Sequence, residues 1–135
     1  MINVASVMTP RERLVVLAPE ATLWEARRLM ASNGIRHLPV VDGGRLVGLV
    51  SQTDLLVAHN GDAVRAREIM VRDVQTIDAR ANVRHAAVAM QRRKVSCLPV
   101  TRDGRLVGIV TDADFLGIAI ALIEQLEEVE PAAEP

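Results

Sequence analysis

Aromatic side chains are almost missing from this chain. Its 135 residues hold no tyrosine, one tryptophan (Trp24) and one phenylalanine (Phe115). A surface that stacks nucleic-acid bases needs several rings, so a base-stacking platform is excluded. Cysteine is nearly absent too. Cys97 stands alone, which excludes an intramolecular disulfide and a cysteine-rich zinc site. His37, His59 and His85 lie far apart, without the spacing of metal ligands. Charge of one sign is lacking: 16 Lys and Arg face 17 Asp and Glu, a net charge of −1. That balance gives no electrostatic footprint for DNA or RNA. The longest apolar run, Leu116 to Ile123, is far shorter than the ~20 residues of a membrane-spanning helix. The opening, MINVASVMTPRER, lacks the basic start and apolar core of a signal peptide, so a cytoplasmic location is expected.

What remains is aliphatic. Half of the chain is hydrophobic by residue type, which excludes disorder and fits one compact unit. Two full-sized domains do not fit in this length.

That unit repeats itself. Residues 38–56 read LPVVDGGRLVGLVSQTDLL and residues 98–116 read LPVTRDGRLVGIVTDADFL, identical at 11 of 19 positions at an offset of 60. The register continues upstream, with Leu14 to Ile35 over Val74 to Val95. Before that the first copy carries two extra residues, and Val7-Met8 correspond to Ile69-Met70. The expected division is a first repeat over 1–60, a second over 61–120, and a helical extension with a frayed tail over 121–135.

Each copy predicts the same elements. An extended lead-in (Leu14 to Leu17, Val74 to Ile77) precedes a helix from Thr22 to Asn33 or Asn82 to Arg93, with Leu23, Ala26, Leu29 and Met30 at helical spacing. Thr22 and Glu25 match a capping box and Gly34 marks the stop; in the second copy Asn82 can cap but Lys94 stands in place of the glycine. Two strands follow, joined by Asp42-Gly43-Gly44 or Arg102-Asp103-Gly104. A second helix begins near Ser51 or Thr111, and His59-Asn60-Gly61-Asp62 breaks the chain between copies. The fold class is α/β (α+β): two β-α-β-β-α repeats packed about a pseudo-twofold axis, with two equivalent clefts between them. One copy alone buries too little surface to be comfortably stable. The last helix is expected to run on as an amphipathic extension ending in an acidic stretch, packed on its own module or on a partner.

Chemistry concentrates in GLVSQTD and GIVTDADF. Each places a hydroxyl three residues before an aspartate, Ser51 with Asp54 and Thr111 with Asp114. Two explanations stand side by side. The pattern is a helix capping box, worth about 0.5–2 kcal/mol. The same geometry suits a ligand: helix N–H groups and a hydroxyl for phosphate, and a carboxylate for the two hydroxyls of a ribose.

These segments, with the Val7-Met8-Thr9 and Ile69-Met70 lead-ins, resemble paired CBS domains (cystathionine β-synthase domains), known together as a Bateman module. The resemblance covers nearly the whole chain and describes a stand-alone CBS-pair protein. It implies a non-enzymatic regulatory module that binds an adenosine-containing ligand: AMP, ADP, ATP, S-adenosylmethionine or NAD. It implies no obligatory cofactor, a homodimer, and signalling to a further protein partner. Carried over residue by residue, the first cleft takes Ser6, Val7, Met8, Ile35, Arg36 and His37 from the first copy and Thr111, Ala113 and Asp114 from the second. The second cleft takes Met70, Val71, Val95, Ser96 and Cys97 with Ser51, Thr53 and Asp54. By the resemblance Asp114 and Asp54 hold ribose, Thr111 and Ser51 lie near phosphate, and Ile35 and Val95 flank adenine.

Both clefts depart from the family pattern. Many members that bind phosphorylated ligands have arginine just before the aspartate, where this chain has Ala113 and Thr53, and Asp112 adds negative charge nearby. A triphosphate is therefore less expected than a monophosphate or a sulfonium ligand. Arg36 and His37 make the first cleft the better anion site. The basic residues Arg27, Arg28, Arg92, Arg93 and Lys94 suit a solvated helix face, and Trp24 is either a partner anchor or a peripheral core residue. No nucleophile stands with a general base, so catalysis is not expected. The alternative function is a ligand-free structural or partner-binding homodimer whose Ser/Thr and Asp motifs only cap helices.

Overall fold

A computed structural model describes residues 2–58, 61 and 63–129 of the chain. Of the break expected at 59–62 only Gly61 is among them, and the expected frayed tail 131–135 lies outside the described residues.

The first repeat holds a short strand β1 (Thr9–Pro10), helix α1 (Leu23–Asn33), strands β2 (His37–Asp42) and β3 (Arg45–Ser51), and helix α2 (Gln52–Val57). The second holds α3 (Ala66–Ile69), β4 (Ile77–Asp78), α4 (Val83–Arg93), β5 (Cys97–Arg102), β6 (Arg105–Thr111) and the long α5 (Asp112–Val129). The strands form one sheet in the order β2-β3-β6-β5-β4, with β1 on β6. Both hairpins turn through two residues with positive φ, Gly43-Gly44 and Asp103-Gly104, which suits the twist of the flanking strands.

The helices start and stop as their sequences require. Thr22 Oγ1 accepts from the Glu25 amide at 3.2 Å, and Asn82 Oδ1 from the Arg84 amide at 2.9 Å. Gly34 ends α1 in the left-handed region (φ 62°), and Lys94 ends α4 in the same conformation (φ 55°) without being glycine. The expected lead-in strands shrink in both copies: Leu14 to Leu17 leaves one parallel bridge between Leu17 and Val40, and of Val74 to Ile77 only Ile77 enters β4, parallel to β5.

The two repeats meet where Arg45 lies opposite Arg105. The Leu46 amide donates to the Gly104 carbonyl at 3.3 Å and the Leu106 amide to the Gly44 carbonyl at 3.1 Å, a reciprocal pair that expresses the twofold relation. Two aliphatic cores flank this junction. Leu17, Leu23, Leu38, Val40 and Val50 centre one; Val4, Leu98, Val100 and Val110 centre the other. Each such side chain contributes about 1.5–3 kcal/mol on full burial.

The cores exchange their lead-ins. Val4 is fully buried in the second core, and its amide donates to the Ala81 carbonyl at 2.8 Å. Ala66 of α3 is fully buried in the first core, and its amide donates to the Ala21 carbonyl at 2.7 Å. β1 pairs with β6, Thr9 opposite Ile109, and Val71 bridges Leu49 of β3 in the matching place. Met8 lies over Gly108 and Met70 over Gly48, where neither strand has room for a side chain.

Candidate functional site

Two cavities lie side by side and share His37, which opens β2, and Ser96, just before β5. The start of α5 lines the first and the start of α2 the second. The first cavity measures about 420 Å³ and the second about 290 Å³.

Five of the residues expected in the first cleft line its cavity: Ile35, Arg36, His37, Thr111 and Ala113. Ser6, Val7, Met8 and Asp114 are not on the wall. Ser6 is tied to Asn3, its hydroxyl donating to Oδ1 at 3.1 Å. Val7 and Met8 pack against the second core, so Thr9 takes the wall position instead. Asp114 Oδ2 accepts from the Thr111 amide at 2.8 Å and from the Thr111 hydroxyl at 3.2 Å. The aspartate thus fixes the hydroxyl residue that does face the cavity.

In the second cavity Val71, Val95, Ser96, Cys97, Ser51 and Asp54 come together. Met70 and Thr53 are not on its wall; Met70 is one of the buried residues of the first core. Ser51 and Asp54 form a reciprocal capping box, the Ser51 amide donating to Asp54 Oδ2 at 2.8 Å and the Asp54 amide to Ser51 Oγ at 3.2 Å. Ser51 and Asp54 thus make a full capping box, whereas at α5 both bonds run from Thr111 to the Asp114 carboxylate, and Asp54 also faces a cavity.

Several wall residues carried no motif in the sequence. Arg13 and Asn33 line the first cavity, and Asp73 and Lys94 the second. Arg13 had one available signal. The two extra residues of the first copy lie between Met8 and Leu14, where the chain makes the 3₁₀ turn Arg11–Arg13 that delivers it. At α5, Asp112 accepts from the Ala113 amide at 2.9 Å, so the helix N-terminus is partly satisfied by its own carboxylate.

His37 and Ser96 belong to both walls. Ser96 Oγ and His37 Nε2 are 3.3 Å apart across the two repeats. Burial, followed by the charge of Arg36, holds the His37 pKa below its usual value, opposed by Asp112 and Asp54. At the position matched to His37, burial pushes the Cys97 thiol up to about 11, with Asp112 adding to the effect. Cys97 is therefore a neutral thiol at physiological pH.

Among the described residues no helix is long and apolar enough to cross a membrane. Comparison with known proteins gives a consistent picture. A chain from Vibrio cholerae described as an acetoin utilization protein, AcuB, is 40% identical, with a TM-score of 0.85 over 100% of this chain and 99% of that one. CBSX2, solved in complex with AMP, is 27% identical over 91% of this chain and 99% of its own, TM-score 0.82. The CBS pair of MJ0100, solved with 5′-methylthioadenosine and S-adenosyl-L-methionine, is 30% identical over 90% of this chain and 98% of its own, TM-score 0.78. Among curated proteins, inosine-5′-monophosphate dehydrogenase of Korarchaeum cryptofilum is 35% identical over 84% of this chain, which spans only 25% of that enzyme's length. The CBS domain family model matches residues 4–61 and 66–120, and with the two exchanged repeats this places the chain in the CBS-domain family as a tandem pair.

Proposed function

We propose that this CBS pair is a regulatory module, working in the cytoplasm as a homodimer, that binds an adenosine-containing ligand between its repeats. The observation that carries this reading is the pair of cavities whose shared wall is His37 and Ser96. Occupancy of either changes the surroundings of the same contact between repeats, so a ligand that fits one arrangement of the repeats better will favour it. The role is binding; the signal passes to a protein partner. The neighbours solved with AMP, or with methylthioadenosine and S-adenosylmethionine, support adenosine as the shared ligand part.

The cavities suit different charges. Arg13 and Arg36 outweigh Asp112 in the first, which fits an adenosine monophosphate whose phosphate meets the arginines and whose adenine lies on Ile35. Asp54 and Asp73 outweigh Lys94 in the second, which fits an uncharged or sulfonium adenosine compound with Asp54 on the ribose and Val95 beside the base. One observation favours the rival, a partner-binding dimer with empty clefts: both aspartates already accept from Ser51 or Thr111 amides.

Calorimetric titration of nucleotide-free protein with AMP, ADP, ATP, S-adenosylmethionine and NAD separates the two. Saturable binding with AMP ahead of ATP supports the module, and its stoichiometry says whether one cavity or both are used. Asp114→Asn is expected to weaken AMP while the fold survives. No binding across the panel leaves the partner-binding dimer.

A further inference from the structure

Where the two repeats join, both keep the same dipeptide, Gly44-Arg45 and Gly104-Arg105. Arg45 stands directly opposite Arg105 in the pairing of β3 with β6. The Leu46 and Leu106 amides bond the glycine carbonyls on either side, which frames the arginines as a non-hydrogen-bonded pair. Such residues have Cα atoms about 4.5 Å apart and side chains on one face. Like charges placed this way repel.

Each side chain crosses to the other repeat. A Cβ on Gly104 would fall on Arg45 Nη2, and a Cβ on Gly44 on Arg105 Nη2. Glycine in both turns thus makes room for the crossing. Neither arginine gains a carboxylate by it. Arg45 Nη1 donates to the Asp103 carbonyl at 3.4 Å, and among the described residues neither arginine forms an ion pair.

The surroundings do not supply the missing charge. The strand register extends the row on each side, with Asp42 opposite Arg45 and Arg102 opposite Arg105. The row therefore holds three arginines and one aspartate. The acids of the second repeat have other bases to face: Asp78 pairs with Arg80 at 3.0 Å and feels the charge of Arg102, and Asp103 acts on Arg80. Both central arginines are exposed. Two guanidiniums from different repeats thus face one another with donors to spare, and each can offer paired N–H groups to a phosphate.

We propose that Arg45 and Arg105 bind a small diphosphate-type anion that ties the two repeats together. One phosphate group answers each guanidinium, and the repulsion across the pair becomes attraction to a shared ligand. The site is separate from the two cavities. These gather at the end of the first hairpin where His37 faces Ser51, whereas the arginines follow the turns at the other end. It is independent of the adenosine reading.

Calorimetric titration of the full chain with sodium pyrophosphate tests it, in an R36A background that weakens the anion wall of the first cavity. Saturable binding is expected, with R45Q and R105Q each weakening it about tenfold or more. R105E separates loss of the site from loss of the fold. It sets a carboxylate opposite Arg45, so pyrophosphate binding disappears while the unfolding midpoint without anion rises. A parallel titration with ADP identifies the source of the diphosphate. ADP binding that falls with R45Q shows that a nucleotide reaches the pair, and a response to pyrophosphate alone assigns a free anion. No pyrophosphate binding, or binding that R45Q and R105Q leave unchanged, overturns the proposal. An R105E midpoint below that of its parent overturns the unmet repulsion on which it rests. Neither result touches the adenosine site, which the AMP titration of the unaltered chain decides.

Discussion

The two cavities occupy equivalent places in a duplicated backbone, yet matched positions have opposite character. Arg13 of the first corresponds to Asp73 of the second, Arg36 to Ser96, His37 to Cys97 and Gly34 to Lys94. The backbone around these positions is conserved to the hydrogen bond: the Gln52 amide donates to the Arg36 carbonyl at 2.8 Å and the Asp112 amide to the Ser96 carbonyl at 3.0 Å. The main chain thus holds the matched positions in the same places, and the side chains there differ in charge. Duplication followed by such divergence gives two differently charged cavities on one scaffold.

The contrast can be broken at its charges. Arg36→Ala is expected to lower AMP affinity at the first cavity by about 1.5–3 kcal/mol, the range for a hydrogen bond to a charged group, whereas Lys94→Ala, which removes a cation from the second wall alone, leaves AMP binding nearly unchanged. Calorimetry on both variants checks this, and equal losses would remove the distinction between the cavities. A similar contrast holds for packing. A Cβ on Gly108 meets the Thr9 backbone carbonyl at 2.7 Å, whereas the atoms nearest a Cβ on Gly48 all belong to the Met70 side chain. Gly108→Ala is expected to cost about 1–3 kcal/mol in chemical denaturation, and Gly48→Ala less, because a side chain yields more readily than a backbone.

A smaller effect sharpens the comparison at the helix ends. Lys94→Gly relieves a left-handed non-glycine residue and is expected to stabilise the fold by about 1 kcal/mol, while Gly34→Lys costs a similar amount. Thermal or urea unfolding measures both. Lys94→Gly also removes the one lysine on the second cavity wall, so any residual anion binding there falls as stability rises. The smallest expected effect is that of pH. The folded pKa of His37 lies below its unfolded value of about 6.5, so the unfolded chain binds the proton more readily. The stabilisation is complete above pH ~6.5 and is lost as pH falls toward the folded pKa. His37→Gln is expected to flatten unfolding midpoints in that window, and a wild-type profile already flat there would count against the burial of this imidazole.

Much of this was legible in the residues because it is periodic or local. The repeat, the hairpins and the caps at Thr22 and Asn82 follow from spacing and from side chains that bond their own backbone. Most of the expected cleft residues meet on cavity walls for the same reason: they stand where a helix gives way to a strand or a strand to a helix, in both copies. Other placements depend on the tertiary fold. Ser6, Val7 and Met8 are expected at the ligand, whereas Thr9 is the residue of this lead-in on the wall and Val7 and Met8 pack against the second core. Arg13, Asp73 and Lys94 reach their cavities through turns and a helix end, where no periodicity announces direction. Leu14 to Leu17 reads as a strand by composition, yet only Leu17 finds a partner there, in the bridge to Val40.

The exchanged lead-ins have a consequence for how the molecule forms. Thr9 pairs with Ile109, about 100 residues away, in a chain hardly longer than that. Contacts of such separation are slow to close. During synthesis the segment around Val4 and Thr9 leaves the ribosome long before β6, and its place does not exist until β6 has followed. Residues of this lead-in are thus made well before the strand that seats them and settle late. The first core, in contrast, is finished as soon as α3 arrives, just after the repeat it completes. A nascent chain stalled after Met70 has all the buried side chains of one core, and a short tail that waits for the other.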